Sequence, residues 1–237
     1  MGLYSIAGFV VQLDNRYDYL AKQCKEYEYL GNAPVDFTVS VTPEDIQKEQ
    51  NIASAVHYPE GYLESVCAYR NLCSALPARD AMLLHGSVIS YLGRGIGFVA
   101  RSGVGKTTHT LLWQQVYGDR IQIINGDKPI LRFIEEIPYA YGTPWAGKEN
   151  LQTNERVPLT DICLIERSPE NSAFRIDPAE GLDALMQQVL VPADPEMAVK
   201  TLELLDCLLS RCKLWVIRCN ISEEAAIVSH DAIIGEI

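Results

Sequence analysis

Apolar residues recur along this chain with two periods, and the switches between them mark its elements. Tyr4 to Leu13 is apolar and β-rich. In Asp36 to Val41 the apolar Phe37, Val39 and Val41 alternate with Asp36, Thr38 and Ser40, the period of a strand with one buried face. Thr42-Pro43-Glu44-Asp45 offers a capping hydroxyl, a proline suited to a first turn and early acids, so a helix is predicted to start there. Gly61 to Leu76 carries Tyr62, Val66, Tyr69, Leu72 and Cys73 at helical spacing. That helix is expected to pack a small N-terminal α+β lobe, residues 1–78, onto the remainder.

From Met82 the texture changes. Met82 to Ile89 and Gly95 to Val99 read as two strands of a hairpin that turns at Leu92-Gly93-Arg94-Gly95. A glycine-rich stretch comes next, then a helix over Thr107 to Tyr117 closed by Gly118. Ile121 to Ile124, Pro129 to Phe133 and Tyr139 to Tyr141 are predicted short strands, and Thr160 to Glu166 a strand buried on both faces. Helices over Pro178 to Leu190 and Pro195 to Ser210, a strand over Leu214 to Arg218 and a capped helix from Ser222 complete the pattern. No internal repeat or low-complexity segment interrupts it.

Composition narrows the possibilities. At 237 residues and 48% hydrophobic, the chain can bury a large core. A formal net charge of −11 without clustered Lys and Arg argues against nucleic acid as a partner. Neither a cationic-then-apolar leader nor an apolar run of membrane-spanning length is seen, which predicts a cytoplasmic chain with no membrane association. The seven cysteines lack framework spacing and read as reduced, mostly buried thiols, and the four histidines offer no structural zinc site.

The chemistry concentrates in Ala100-Arg101-Ser102-Gly103-Val104-Gly105-Lys106-Thr107-Thr108, entered from Gly97-Phe98-Val99. This run matches the phosphate-binding pattern G-x-x-x-x-G-K-[ST] except that Ala100 takes the place of the first glycine. In such a loop, backbone N–H groups converge on phosphate oxygens and the positive end of the following helix adds to the attraction. Ser102, Gly103, Val104, Gly105, Lys106, Thr107 and Thr108 are therefore the candidate nucleotide-binding residues. Lys106 is placed to meet the β- and γ-phosphates, and the Thr107 hydroxyl to ligate Mg²⁺.

Phosphoryl transfer also needs an acid, and the best candidate is Asp127 in Asn125-Gly126-Asp127-Lys128, at the end of an apolar strand. It is assigned as metal ligand or as the group aligning the nucleophile. His85, in Leu84-His85-Gly86-Ser87, beside the strand that feeds the loop, is read either as a core histidine or as a site residue. His109 is taken as a surface residue and left out of the site. The loop Tyr141 to Asn150 combines glycines, Trp145, Lys148 and Glu149. Lys148 is a candidate for neutralising the transferring phosphate, and Asn154 for orienting the loop or contacting substrate.

The run His85-Gly86-Ser87-Val88-Ile89, the hairpin, Ser102-Gly103-Val104-Gly105-Lys106-Thr107 and an acid on the next strand resemble the catalytic core of the HPr kinase/phosphorylase family, a relative of phosphoenolpyruvate carboxykinase. The resemblance covers Met82 to Phe133 closely and the rest in outline. It implies an α/β fold, α+β-like, with a P-loop core of mixed, largely antiparallel sheets flanked by helices over residues 79–237. It also implies ATP and Mg²⁺ as cofactors, with GTP an alternative, and a homo-oligomer. Three departures stand out: Gly126 replaces the first aspartate of a pair, Thr108 stands where the family often has glutamate, and the C-terminal signature coupling to the carrier protein is absent.

The expected activity is accordingly transfer of the γ-phosphoryl group of ATP to a hydroxyl of a peptide, protein or small molecule, serine among them. A non-catalytic nucleotide-binding regulator or scaffold is the alternative. A carboxykinase acting on a small carboxylic acid is weaker, since only scattered cations such as Arg101 and Lys128 are available for two carboxylates.

Overall fold

The structure is a computed structural model that describes residues 2–53 and 56–235. The N-terminal apolar run divides at Ala7-Gly8, both at positive φ, into β1 (Gly2–Ile6) and β2 (Phe9–Asp14), which pair antiparallel. A short helix α1 (Asp18–Gln23) comes next, and β3 (Phe37–Ser40) joins β2 in parallel. Helices α2 (Pro43–Ala53) and α3 (Glu60–Ala75) complete this part. Phe37 and Val39 are buried and Thr38 and Ser40 exposed, as the alternation requires. Leu63, Leu72, Tyr69 and Cys73 of α3 share one core with Ile6, Val11, Leu13 and Leu20, and also with Ala81, Leu83 and Ile130 from the adjoining sheet.

That sheet has nine strands. They are β4 (Ala81–Leu83), β5 (Ser87–Tyr91), β6 (Arg94–Val99), β7 (Ile121–Asn125), β8 (Ile130–Ile134), β9 (Ile137–Tyr141), β10 (Arg156–Arg167), β11 (Ser172–Ile176) and β12 (Lys213–Cys219). The helices among them are α4 (Lys106–Tyr117), α5 (Pro178–Met186), α6 (Pro195–Arg211) and α7 (Glu223–Gly235). The architecture is mixed α/β, and its pairings are mostly antiparallel apart from β2/β3, β6/β10 and β10/β12.

Strand β10 joins two parts of the sheet. Its first residues, Arg156 to Pro158, pair antiparallel with β9, which pairs in turn with β8, and β8 with β4. From Leu159 onward it runs parallel to β6, with a register shift between Leu159 and Asp161, and from Asp161 it also runs parallel to β12. Pro158 lacks a backbone donor, and the irregularity after it lets the strand leave one set of neighbours for another. At this junction Asp161 is fully buried and accepts two hydrogen bonds from Arg94, at 2.8 and 3.0 Å, and one from the Trp215 indole at 3.0 Å.

Two apolar layers sandwich β5, β6, β10 and β12. On one side α5 and α6 place Leu185, Leu204, Leu205 and Leu208 against Val88, Val99, Ile162 and Leu214. On the other, α4 and α7 place Trp113, Ala225, Ala226 and Ile233 against Ile89, Phe98, Cys163 and Ile217.

Beyond the first lobe, the fold departs from the sequence pattern at Met82 to Ile89, at the end of α5 and at β11. Met82 to Ile89 is not one strand: β4 pairs with β8, β5 pairs with β6 and β7, and His85-Gly86 forms the crossing between them. A Cβ on Gly86 would lie 2.9 Å from the Phe98 carbonyl, so the crossing packs too closely for a larger residue. The helix expected to reach Leu190 ends at Met186, and Leu84 instead bridges to Val189. Last, β11 carries no distinct sequence signal, its exposed face being broken by Arg175.

Candidate functional site

Strand direction brings the chemistry to one edge. β6, β10 and β12 are parallel, so Val99, Arg167 and Cys219 end on the same side of the sheet. β5 runs antiparallel to both β6 and β7, so β7 also ends there, and β5 begins there. The glycine loop, His85-Gly86, the Asn125–Lys128 turn and the segments after β10 and β12 therefore converge. The carboxyl ends of parallel strands are where open α/β sheets expose backbone N–H groups and loops to ligands.

The loop Ala100 to Gly105 connects β6 to α4. Gly103 has φ +78° and Gly105 φ +130°, the latter a conformation that a Cβ opposes. Val104 N–H donates to the Arg101 carbonyl at 3.2 Å. Arg167 fastens the loop from outside, donating to the Val104 carbonyl at 3.0 Å and to the Gly103 carbonyl. Ser102, Gly103 and Thr108 are exposed, whereas Val104, Gly105 and Thr107 are partly covered. The start of α4 is held by Thr110, whose hydroxyl donates to the Lys106 carbonyl at 3.0 Å and lies 2.7 Å from the Ser87 hydroxyl.

Lys106 is only 8% exposed. Its ammonium donates to the Ala100 carbonyl at 3.2 Å and lies 3.5 Å from His85 Nε2, and it forms no direct ion pair among the described residues. Burial pushes its pKa below the ordinary lysine value, with Asp127 acting in the opposite sense and Lys128 in the same sense.

His85 Nε2 also faces Asp127 Oδ1 at 3.3 Å, and Lys128 Nζ lies 3.0 Å from Asp127 Oδ2. Burial works against ionisation of Asp127. The hydrogen bond from His85 and the charge of Lys128 outweigh it and hold the carboxyl at about 2. Asp127 is thus a firmly ionised carboxylate set between an imidazole and an ammonium.

The turn carrying Asp127 is organised by Asn125, which is fully buried. Its side-chain oxygen accepts the N–H groups of Asp127 at 2.9 Å and Lys128 at 2.6 Å, and its amide nitrogen donates to the Thr143 carbonyl at 3.1 Å. The Asp127 carbonyl accepts Gly86 N–H at 2.9 Å, and the Gln188 carbonyl accepts His85 N–H at 2.7 Å. Asn125, Lys128, Arg167 and Gln188 had no place in the sequence-derived site. The Asn-Gly-Asp spacing signals the first of these, since an Asn side chain readily bonds its own backbone two residues on.

The turn that carries Lys148 comes close to Asp127, a Cβ on Gly147 lying 3.2 Å from the Asp127 Cβ. Lys148 sits on the exposed turn 147–150 and makes no hydrogen bond or ion pair among the described residues. Trp145 of the same loop is buried and donates to the Ser65 hydroxyl at 3.0 Å, which anchors the loop to α3. Asn154 is exposed. His109 is not a surface residue: it is 2% exposed, its Nε2 accepts from the Trp113 indole at 3.2 Å, and burial drives its pKa down to about 4. It faces the α7 side because α4 turns its 109, 110 and 113 positions inward.

Two cavities flank the loop. One, of about 530 Å³, lies between α4 and the ends of β10 and β12 and is walled by Gly103, Thr108, Leu112, Ile165, Pro169 and Ile221. The other, of about 640 Å³, opens toward α5 and includes Ala100, Arg101, Asp183 and Gln188. All seven cysteines are free thiols. No helix among the described residues is long and apolar enough to cross a membrane.

Among known proteins, no family model matches the chain. No curated protein matches it either. A solved structure, the Hpr(Ser) kinase/phosphatase from Coxiella burnetii, is similar over 54% of this chain and 88% of that one, with 12% identity and a TM-score of 0.29.

Proposed function

We propose that this protein is a phosphotransferase that moves the γ-phosphoryl group of a nucleoside triphosphate, ATP in the first instance, to a hydroxyl group. The observation that carries the reading is Lys106. A buried ammonium with a carbonyl and an imidazole for neighbours, at a helix N-terminus and beside two glycines of positive φ, lacks an anion that a phosphate would supply. The nearby Asp127, held by His85 and Lys128, supplies the carboxylate that such chemistry requires.

In this reading the backbone of Gly103 to Lys106 cradles the phosphates, with Ser102 and Thr108 at its rim. The mainly apolar cavity walled by Leu112, Ile165, Pro169 and Ile221 receives the nucleoside. Residues 79–237 carry the machinery, and residues 1–78 brace it through Trp145 and the shared core. The donors available to Mg²⁺ are the Thr107 hydroxyl and the Asp127 carboxylate, hard oxygens that suit an ion taking its other ligands from phosphate and water. Bound with the nucleotide, Mg²⁺ would screen phosphate charge. Lys106 then steadies the β- and γ-oxygens, Lys128 adds positive charge, and Asp127 orients the attacking hydroxyl. With a carboxyl held at about 2, Asp127 is a weak base. That is adequate where the proton leaves late and catalysis is mostly positioning.

Isothermal titration with ATP and GTP, with and without Mg²⁺, tests the reading. Mg²⁺-dependent binding lost in Lys106→Ala, and transfer of labelled γ-phosphate to a hydroxyl acceptor lost in Asp127→Asn with binding kept, would support it. Binding without transfer to any hydroxyl would favour the regulatory alternative, and absence of binding would overturn both.

A further inference from the structure

Strand β10 outruns β6. Their last paired residues are Leu164 and Val99, where β6 gives way to the glycine loop, and β10 continues for three residues to Arg167. At about 3.3 Å of rise per residue, this overhang carries Arg167 alongside the loop. Side chains alternate across a strand. Cys163 and Ile165 face the layer of α4 and α7, so Arg167 faces that side too, toward the loop that leads into α4. Its exposed guanidinium donates from Nε to the Val104 carbonyl at 3.0 Å and from Nη2 to the Gly103 carbonyl.

The two peptide planes it grips are held unequally. The plane between Gly103 and Val104 is fixed at both ends, since Val104 N–H also donates to the Arg101 carbonyl at 3.2 Å. The plane between Val104 and Gly105 has Arg167 on its carbonyl and no protein acceptor for its N–H among the described residues. Rotating that plane changes ψ of Val104 and φ of Gly105, and glycine tolerates a wide range of φ. Space is open there as well, because a Cβ built on Gly105 meets nothing within 4 Å. In a trans peptide the carbonyl and the N–H point opposite ways, so Arg167, by holding one, aims the other. The N–H groups of Lys106, Thr107 and Thr108, in the first turn of α4, are likewise without protein acceptors among the described residues. A half-turn of the 104–105 plane would exchange the Gly105 N–H for a carbonyl oxygen, which repels an anion.

We infer that Arg167 is a positioning residue for the nucleotide: by holding the Val104 carbonyl it keeps the Gly105 N–H, rather than a carbonyl oxygen, presented to phosphate. This rests on the phosphotransfer reading and adds to it what orients the loop. Bound phosphate itself favours the plane that offers an N–H, so Arg167 acts before binding, by keeping the competent loop populated. A ligand that needs a state populated to a given fraction shows an affinity reduced by that fraction. Loss of Arg167 therefore weakens the hold on the phosphates and leaves the nucleoside end untouched. Lysine would bring the charge without the planar fork, and one ammonium does not reproduce the paired grip on two successive carbonyls.

The test titrates the wild type, Arg167→Met and Arg167→Lys with ATP and Mg²⁺, with inorganic tripolyphosphate and with adenosine, beside amide NMR spectra of the free proteins. In Arg167→Met, binding of ATP and of tripolyphosphate is expected to weaken about tenfold, with adenosine affinity unchanged. The Gly105 amide signal should shift or broaden in the free variant and return toward its wild-type position when tripolyphosphate is bound. Arg167→Lys should fall between the two. Tripolyphosphate held by Arg167→Met as tightly as by the wild type would overturn the inference and leave the phosphotransfer reading intact. Full recovery in Arg167→Lys would do the same by making charge alone the cause, as would an equal loss of adenosine, which would assign Arg167 to the nucleoside cavity that it also borders. A wild type that binds neither ATP nor tripolyphosphate would overturn the phosphotransfer reading and the inference with it.

Discussion

Lys106 and Asp127 are opposite cases of a buried charge. The lysine is desolvated with no carboxylate in contact, so its charged form is disfavoured until an anion arrives. The aspartate is also desolvated but has two cationic or donating partners, so its charged form is favoured. Its carboxyl falls from 3.8 to about 2 on folding, worth roughly 2 kcal/mol. Because the folded value is the lower one, this stability is present above about pH 4 and is lost as pH falls toward 2. Asp127→Asn should therefore unfold at lower urea concentration than the wild type at pH 7, with the gap closing near pH 2. A gap that is the same at both ends would refute the ion-pair account. For the same reason the rate of transfer should show no acid limb from Asp127 between pH 5 and 8.

At the scale of elements, two turns hold the site, and each depends on one residue. In the glycine loop, Gly105 at φ +130° has open space around a built Cβ, so any penalty there comes from the backbone alone. Gly105→Ala is expected to cost about 1–3 kcal/mol in urea unfolding and to weaken nucleotide binding in parallel. In the turn between β7 and β8, Asn125 gathers the N–H groups of Asp127 and Lys128 and reaches across to Thr143. Replacing it with Ala leaves buried amides without acceptors. The expected loss is roughly 2 kcal/mol or more of stability, with a fall in kcat exceeding any change in ATP affinity. Steady-state kinetics beside titration calorimetry would separate those effects.

Elements also show where sequence patterns stop. The alternation in Phe37 to Ser40 and the glycine, lysine and hydroxyl series at 103–107 state local backbone preferences, and these segments fold accordingly. Met82 to Ile89 reads as a single strand because every residue in it tolerates extended backbone. Nothing local says that its two halves pair with different partners. His109 sits on a face whose polarity suggests solvent, and only the docking of α7 buries it. The loop that carries Lys148 is anchored to α3 by Trp145 and borders Asp127 at Gly147, a placement that no local pattern states.

For the whole molecule, β10 is the decisive strand. Among the described residues it is the strand that pairs both with the β4, β8, β9 group and with the β5, β6, β7, β11, β12 group. Asp161 fixes its crossing by binding Arg94 from β6 and Trp215 from β12 at zero exposure. Removing one member of such a buried pair strands the other. Asp161→Ala should thus lose about 3–5 kcal/mol, read as a lowered urea midpoint. An unchanged midpoint would show that the crossing is held by apolar packing alone. Where the variant remains folded, ATP affinity should persist, because the glycine loop lies at the far end of these strands.

By itself the sequence determined the glycine loop, the strand that feeds it and the acid about twenty residues beyond. Those depend on backbone preferences within a few residues. The tertiary structure alone decided that His85, Lys106, Asp127 and Lys128 share one cluster, that the Gln188 carbonyl holds the His85 N–H, and that His109 is buried against Trp113 and Ser229. The physical reason is that which strands pair, and in which direction, is settled by burial summed over the whole core. No short stretch of residues carries that sum.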